Sequence, residues 1–110
     1  MPSSTISRGN ILNEVLLNVT LTPAAVAANT SATQTFALPG ALTTDYIADM
    51  STATSAQIGN ILVVGCWVSQ AGVVAIQFMN TSAVAVTPVS GGYSCNLIRP
   101  ENTPVPSNML

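Results

Sequence analysis

The chain has 110 residues, of which 48% are apolar, 5% aromatic and 5% charged, with no histidine and a net charge of −2. This length suits a single domain. Two arginines cannot form the basic patch that neutralises nucleic-acid phosphates, and the lack of histidine excludes every Ser-His-Asp and Cys-His catalytic arrangement. We therefore expect a structural or binding protein that is not an enzyme, binds no nucleic acid and uses no cofactor.

The first half of the chain is predicted to hold an arm and three short strands. Residues 1–14 have little apolar pattern and are interpreted as the arm. The segment 15–22, in which apolar and polar residues alternate strictly from Leu17 to Thr22 before Pro23, indicates the first strand. The next strands are expected at 33–38, before a Pro-Gly turn, and at 46–50.

Asp45 and Asp49 are the carboxylates that lie closest to each other in the sequence. A glycosidase pair would also need a cleft and one raised pKa, and a calcium site would need further oxygen ligands. We interpret both residues as solvated charges that flank a strand and discourage edge pairing.

The segment 61–79 is long and apolar enough for a membrane-spanning helix and carries no charge. Turn residues at 69–72 interrupt it, its halves are rich in β-branched residues, and no Lys or Arg flanks it. We therefore predict two strands, 61–69 and 73–79, and no membrane partner. The first of these is apolar on both faces, which favours a central position in a sheet.

The remaining apolar runs predict a sixth strand at 83–87, ended by Pro88, and a seventh at 93–98. Cys66 and Cys95 lie inside predicted strands, and we expect reduced, buried residues on neighbouring strands. The fold class is therefore all-β: a single antiparallel β-sandwich of about seven short strands, jelly-roll or Ig-like, over residues 15–99. Residues 100–110 form a proline-rich, extended C-terminal tail.

Two further features of the sequence suggest binding roles. Trp67 lies in the most apolar strand, where a core or interface residue is more usual than a sugar-stacking platform. Asn18, Asn29 and Asn80 each begin an Asn-X-Ser/Thr pattern. In a chain so rich in Ser, Thr and Asn, we attribute these patterns to chance.

Several stretches of the chain together resemble a group of small tailed-bacteriophage structural proteins: 19–30, 33–36 with the following Pro-Gly turn, 63–65, 68–72, 74–81, 86–88, 92–93 and 98–100. The resemblance spans about residues 19–100 and consists of strand and turn patterns, so it carries over no functional residues. Residues 44–60 depart from it.

The resemblance implies a β-sandwich on a capsid or tail. The expected function is that of a capsid decoration or cement protein that binds the major capsid protein and stabilises the shell. It would be assembled in the host cytoplasm and located on the capsid surface of the virion. The alternatives are a tail or fibre module, or a carbohydrate-binding module that recognises host surface glycans.

Self-association is expected from the span 50–98, which contains no charged residue. Only one face of a sandwich strand meets the core, so the outer face of an apolar strand at 61–68 needs another cover. By analogy with decoration proteins at capsid threefold positions, we expect a homotrimer. The candidate interface residues are Ile6, Ile11, Leu12, Trp67, Met109 and Leu110.

Overall fold

The computed structural model describes residues 11–52 and 56–101. These residues form six β-strands and no helix: β1 Ile11–Leu21, β2 Thr30–Ala37, β3 Tyr46–Thr52, β4 Ile61–Gln70, β5 Val73–Asn80 and β6 Gly91–Pro100.

The strands form two antiparallel three-stranded sheets, ordered β1-β6-β3 and β2-β5-β4. Side chains alternate between faces along each strand, so the inward positions of both sheets meet in one core. Its fully buried residues include Ile76 and Phe78 from β5 and Tyr93 from β6. The expected all-β sandwich is therefore confirmed, with six strands rather than about seven.

The strand predicted at 83–87 does not form, and the segment contributes only an isolated bridge between Val86 and Val26. The side chain of Asn80 explains why. Its Nδ2 donates to the carbonyl of Val84, and its Oδ1 accepts from the backbone N–H of Ser82. These bonds curl the chain directly after β5, so residues 83–87 cannot run along a sheet.

The prediction that the strand at 61–69 is central is wrong, because β4 lies at the edge of its sheet and β5 takes the centre. The predicted hairpin is confirmed, since β4 and β5 pair antiparallel across a turn at Gly72. No helix in the described part of the chain could cross a bilayer.

The β1-β6-β3 sheet extends beyond the domain limits, 15–99, that were expected from the sequence. Residues 11–14, assigned to the arm, belong to β1, and Pro100 still belongs to β6. Ile11 pairs with Pro100, so β1 begins beside the end of β6. The other residues of the predicted arm and tail, 1–10 and 102–110, lie outside the described residues.

The two sides of the sandwich differ in how tightly their edge strands meet. On the side we call the closed seam, β3 and β4 approach each other closely, and most of their inward residues are buried. Ile47, Met50, Ile61 and Val68 are the buried ones, whereas Val63 and Cys66 are half-buried. The other side, the open seam, runs between β1 and β2. Most of its inward apolar residues are only half-buried, namely Val15, Leu17, Val19, Ala32 and Phe36, and Leu21 at the end of β1 is buried.

Candidate interaction surface

Strand β4 presents three large apolar side chains to solvent. Leu62, Val64 and Trp67 are 54%, 52% and 45% exposed, and we call them the β4 surface. Leu62 and Trp67 both point outward because a bulge between Val63 and Gly65 shifts the alternation of the strand by one residue. The same bulge adds Val64 to this face. The apolar character of both faces of β4 thus produces an exposed surface instead of a second buried face.

Trp67 lies on the outer face of the sheet, directly opposite Ala75 of β5. Ala75 is only 1% exposed although it also points outward. The indole extends along the strand to Gly65, where an added Cβ would be 3.9 Å from Cζ3 of Trp67. The placement of Trp67 in the core is therefore excluded, whereas the interface and sugar-platform interpretations both remain open.

A shallow cleft of about 330 Å³ borders the β4 surface at the closed seam. Its β3 wall includes the exposed Tyr46 and Asp49, and its β4 wall includes Val64 and Gly65. Asp49 has a φ of 62°, in the left-handed region, at a register shift between Ala48 and Ser51. Aspartate tolerates this conformation better than most residues, which allows β3 to form a bulge beside the cleft.

Asp45 is not a solvated charge, in contrast to the expectation from the sequence. Its Oδ1 accepts from Nε of Arg99 at 2.8 Å and its Oδ2 from Nη2 at 2.8 Å. Oδ2 also accepts from the backbone N–H of Leu42. The hydrogen bonds from Arg99 are the main cause of the lowered pKa of Asp45 and outweigh its desolvation. The pair fastens the start of β3 to the end of β6.

Asp45 and Asp49 do not form a carboxylate pair. The Asp45 side chain is fully buried against Arg99, while Asp49 is exposed on the β3 bulge. Within the described ranges, no group of three or more His, Cys, Asp or Glu side chains could hold a metal ion. The chemistry of Asp45 is structural, because its carboxylate is fully engaged by donors of the same chain.

Cys66 and Cys95 are free thiols, as expected, but they do not lie on neighbouring strands. Cys66 belongs to β4 and Cys95 to β6, so they face the core from opposite sheets. Cys95 is buried and Cys66 half-buried. Burial raises the pKa of both thiols, which favours the protonated, unreactive form.

The other candidate interface residues are not gathered at the β4 surface. Ile11 is half-buried at the start of β1, and Leu12 is exposed at a register shift beside it. Both lie on the sheet opposite the one that contains Trp67. Ile6, Met109 and Leu110 lie outside the described residues.

Sequence reasoning missed two polar side chains that organise the loops. Asn80 is fully buried and donates to the carbonyls of Val26, Ala27 and Val84. Its Nδ2 is thus occupied, which excludes it as a glycosylation acceptor in the folded chain. Gln57 donates to the Tyr93 hydroxyl. Neither role could be predicted locally, because decisive partners are distant in sequence: Val26 and Ala27 for Asn80, and Tyr93 for Gln57.

The chain matches no protein-family model, no curated protein and no solved structure. Its function must therefore be argued from its own surfaces. Of these, the β4 surface combines the largest aromatic side chain with exposed aliphatic neighbours.

Proposed function

We propose that this chain is a structural protein of a virion, a capsid decoration or cement protein that attaches to the major capsid protein through the β4 surface. The observation that carries the proposal is the exposure of Leu62, Val64 and Trp67 side by side on one strand. They belong to the span 50–98, which has no charged residue. The centres of protein interfaces share this depletion of charge.

The energetics of such a surface favour a large protein partner. Burial of apolar surface stabilises a complex by roughly 25 cal/mol per Å². A tryptophan surrounded by aliphatic side chains is a frequent centre of binding energy in protein interfaces. An exposed apolar strand face suits a protein partner that covers it, such as the outer surface of a shell. The resemblance of residues 19–100 to phage structural proteins supports a capsid as that shell.

The surroundings of Trp67 favour a protein partner over a glycan. Sugar recognition needs polar groups placed to hydrogen-bond the hydroxyls beside the stacking ring. The nearest residues across the outer face of β5 are Ala75, Gln77 and Met79, and Gln77 alone of these can hydrogen-bond through its side chain. Thr35 of β2 and Gln70 of β4 are further polar side chains on this face, so the preference for a protein partner rests on the exposed aliphatic side chains of Leu62 and Val64.

Binding to purified empty shells tests the proposal. We expect the wild-type chain to co-sediment with shells and to raise the temperature at which they disassemble. Trp67→Ala should weaken binding about thirtyfold, as truncation of a central aromatic typically costs about 2 kcal/mol. Val84→Ala is the matched control, because Val84 is exposed on a loop outside the β4 surface.

Localisation on intact particles separates the head from the tail. Immunogold labelling of the capsid surface is the expected result. Labelling confined to tails or fibres would favour the alternative of a tail module, and no labelling on any particle would contradict the virion assignment. If glycans, rather than shells, bound the wild type and not Trp67→Ala, the carbohydrate-binding alternative would replace the proposal.

A further inference from the structure

The free edge of β1 differs from the edges of β3 and β4. Exposed strand edges are commonly protected by bulges, prolines or lysines, which prevent pairing with other chains. β3 is interrupted by the bulge at Asp49, and β4 has two register shifts. β1 runs in unbroken register from Asn13 to Leu21 and contains no proline or lysine. Its edge is therefore competent to pair.

The inward side chains along this edge lack a complete cover. Val15 and Leu17 are half-buried and line a cavity of about 160 Å³ that reaches Leu38 and Ala41. On the other side of the open seam, the Gln34 side chain bonds both the N–H and the carbonyl of Ala24 at 2.8 Å. The connecting segment therefore lies against β2 and leaves β1 as the accessible edge.

We infer that β1 is a self-association edge, where β1 of a second copy pairs antiparallel across a two-fold axis at Leu16. This pairing continues the β1-β6-β3 sheet into an identical sheet of the partner. On the inner face, Val15 of each copy lies opposite Leu17 of the other copy, which extends the apolar core across the axis. On the outer face, Leu16 meets its own copy.

The polar residues of β1 fit this register. Asn18 accepts a hydrogen bond from the Ser94 hydroxyl through Oδ1, and its Nδ2 has no partner within the described ranges. Glu14 accepts from Asn96 through Oε2, so its second oxygen can accept another bond. The two-fold axis places Asn18 of each copy opposite Glu14 of the other, and no like charges face each other. A second copy therefore matches the residues around the axis on both faces, and at the periphery of the inner face Asn13 lies opposite Val19 of the other copy.

Two-fold pairing produces a dimer in place of the trimer expected by analogy, and it does not depend on a virion location. Light scattering on the purified full chain should give the mass of a dimer at micromolar concentration. Leu16→Lys should raise the Kd of the dimer about a hundredfold, because both copies lose the burial of a leucine and gain like charges that face each other. Leu16 is 71% exposed, so the variant should keep its fold, as circular dichroism will show.

A charge exchange at the axis is the sharper experiment. Leu16→Lys and Leu16→Glu should each be monomeric, and their mixture should form a heterodimer. Leu62→Lys, on the β4 surface, is the matched control and should remain dimeric. Thr20→Lys, exposed on the same face of β1, replaces Leu16→Lys if that variant does not fold.

Three results would overturn the inference. The first is a wild-type chain with the mass of a monomer or a trimer. The second is a dimer that persists in Leu16→Lys but dissociates in Leu62→Lys. The third is a mixture of Leu16→Lys and Leu16→Glu that stays monomeric. Loss of shell binding would not affect these measurements, since they use the chain alone in solution.

Discussion

The closed seam and the open seam are lined by similar apolar residues, yet the chain itself buries more of them at the closed seam. At the closed seam, the bulged edges of β3 and β4 face each other, and Ile47 and Met50 are buried. At the open seam, β1 has a regular edge and Leu17 is only half-buried. The two bulged edges need no partner here, and β2, the other regular edge, is bonded to the connecting segment through Gln34. This leaves β1 as the regular edge available for pairing.

The difference also separates stability from association. The Asp45–Arg99 pair fastens β3 of the closed seam to β6, so substitutions there act mainly on folding. Substitutions at the outward positions of β1 act mainly on contacts between copies. Variants in the two seams therefore distinguish effects on folding from effects on association.

Truncation of a core residue in each seam gives the largest contrast. Ile47→Ala should lower the free energy of unfolding by about 3 kcal/mol, because a buried side chain leaves a cavity. Leu17→Ala should cost about 1 kcal/mol in the monomer, since its side chain is only half-buried. Urea denaturation at a concentration that keeps the chain monomeric measures both. Equal costs would show that the open seam is as well sealed as the closed one.

Loss of the Asp45 charge should have the next largest effect. Asp45→Asn should destabilise the fold by about 2 kcal/mol, because the carboxylate accepts charge-assisted hydrogen bonds from Arg99. Thermal unfolding monitored by circular dichroism measures the change. Asp49→Asn, at an exposed carboxylate nearby, is the matched control. An equal loss in both variants would argue against a special role for the pair.

The same pair should set the acid limit of stability. The pKa of Asp45 is lowered from 3.8 in the folded state. Its contribution is therefore complete at pH values above the unfolded-state pKa and is lost as the pH falls through the folded-state pKa. Unfolding free energies measured across this acid range should converge for wild type and Asp45→Asn. Parallel pH curves for the two proteins would contradict this assignment.

The bulge of the closed seam should respond to the residue at position 49. Asp49→Val should cost about 1 kcal/mol, since a β-branched residue is strained at positive φ. Asp49→Gly should be tolerated, because glycine adopts this conformation freely. Urea denaturation of the two variants gives the comparison, and a valine variant as stable as the glycine variant would be inconsistent with the bulge.

The smallest effect concerns thiol accessibility. Burial raises the pKa of both cysteines, so alkylation of the native chain near neutral pH should be slower than that of a free thiol. The half-buried Cys66 lines the cleft of the closed seam and should react before the buried Cys95. Mass spectrometry of a time course resolves the order, and earlier labelling of Cys95 would mean that the open seam admits reagent more readily.

Local patterns in the sequence were sufficient to predict most strands. Alternation, proline and turn residues located the first, second, third, fourth, fifth and last strands near their observed positions. The predicted strand at 83–87 failed because its apolar alternation was overridden by Asn80, whose side chain binds the loop from the end of β5. The competing interaction is not visible in the segment itself.

The position of strands within sheets was harder to predict. A strand that is apolar on both faces indicates burial, but β4 uses its second face as an exposed surface at an edge. The partner of Asp45 was equally hidden, because Arg99 lies at the far end of the chain and approaches only when β3 pairs with β6. The residue type alone identified Trp67 as a candidate for binding, whereas its exposure to solvent could be seen only in the folded structure.

The uncharged span 50–98 also determines how attachment through the β4 surface should respond to the solvent. A contact without ions at its centre releases no counterions and is little affected by electrostatic screening, so sodium chloride should barely change its strength. Sulfate and phosphate, which are excluded from apolar surface, should strengthen it, and cooling should weaken it. A particle carrying this protein would therefore keep it through large changes in ionic strength and release it more readily in the cold.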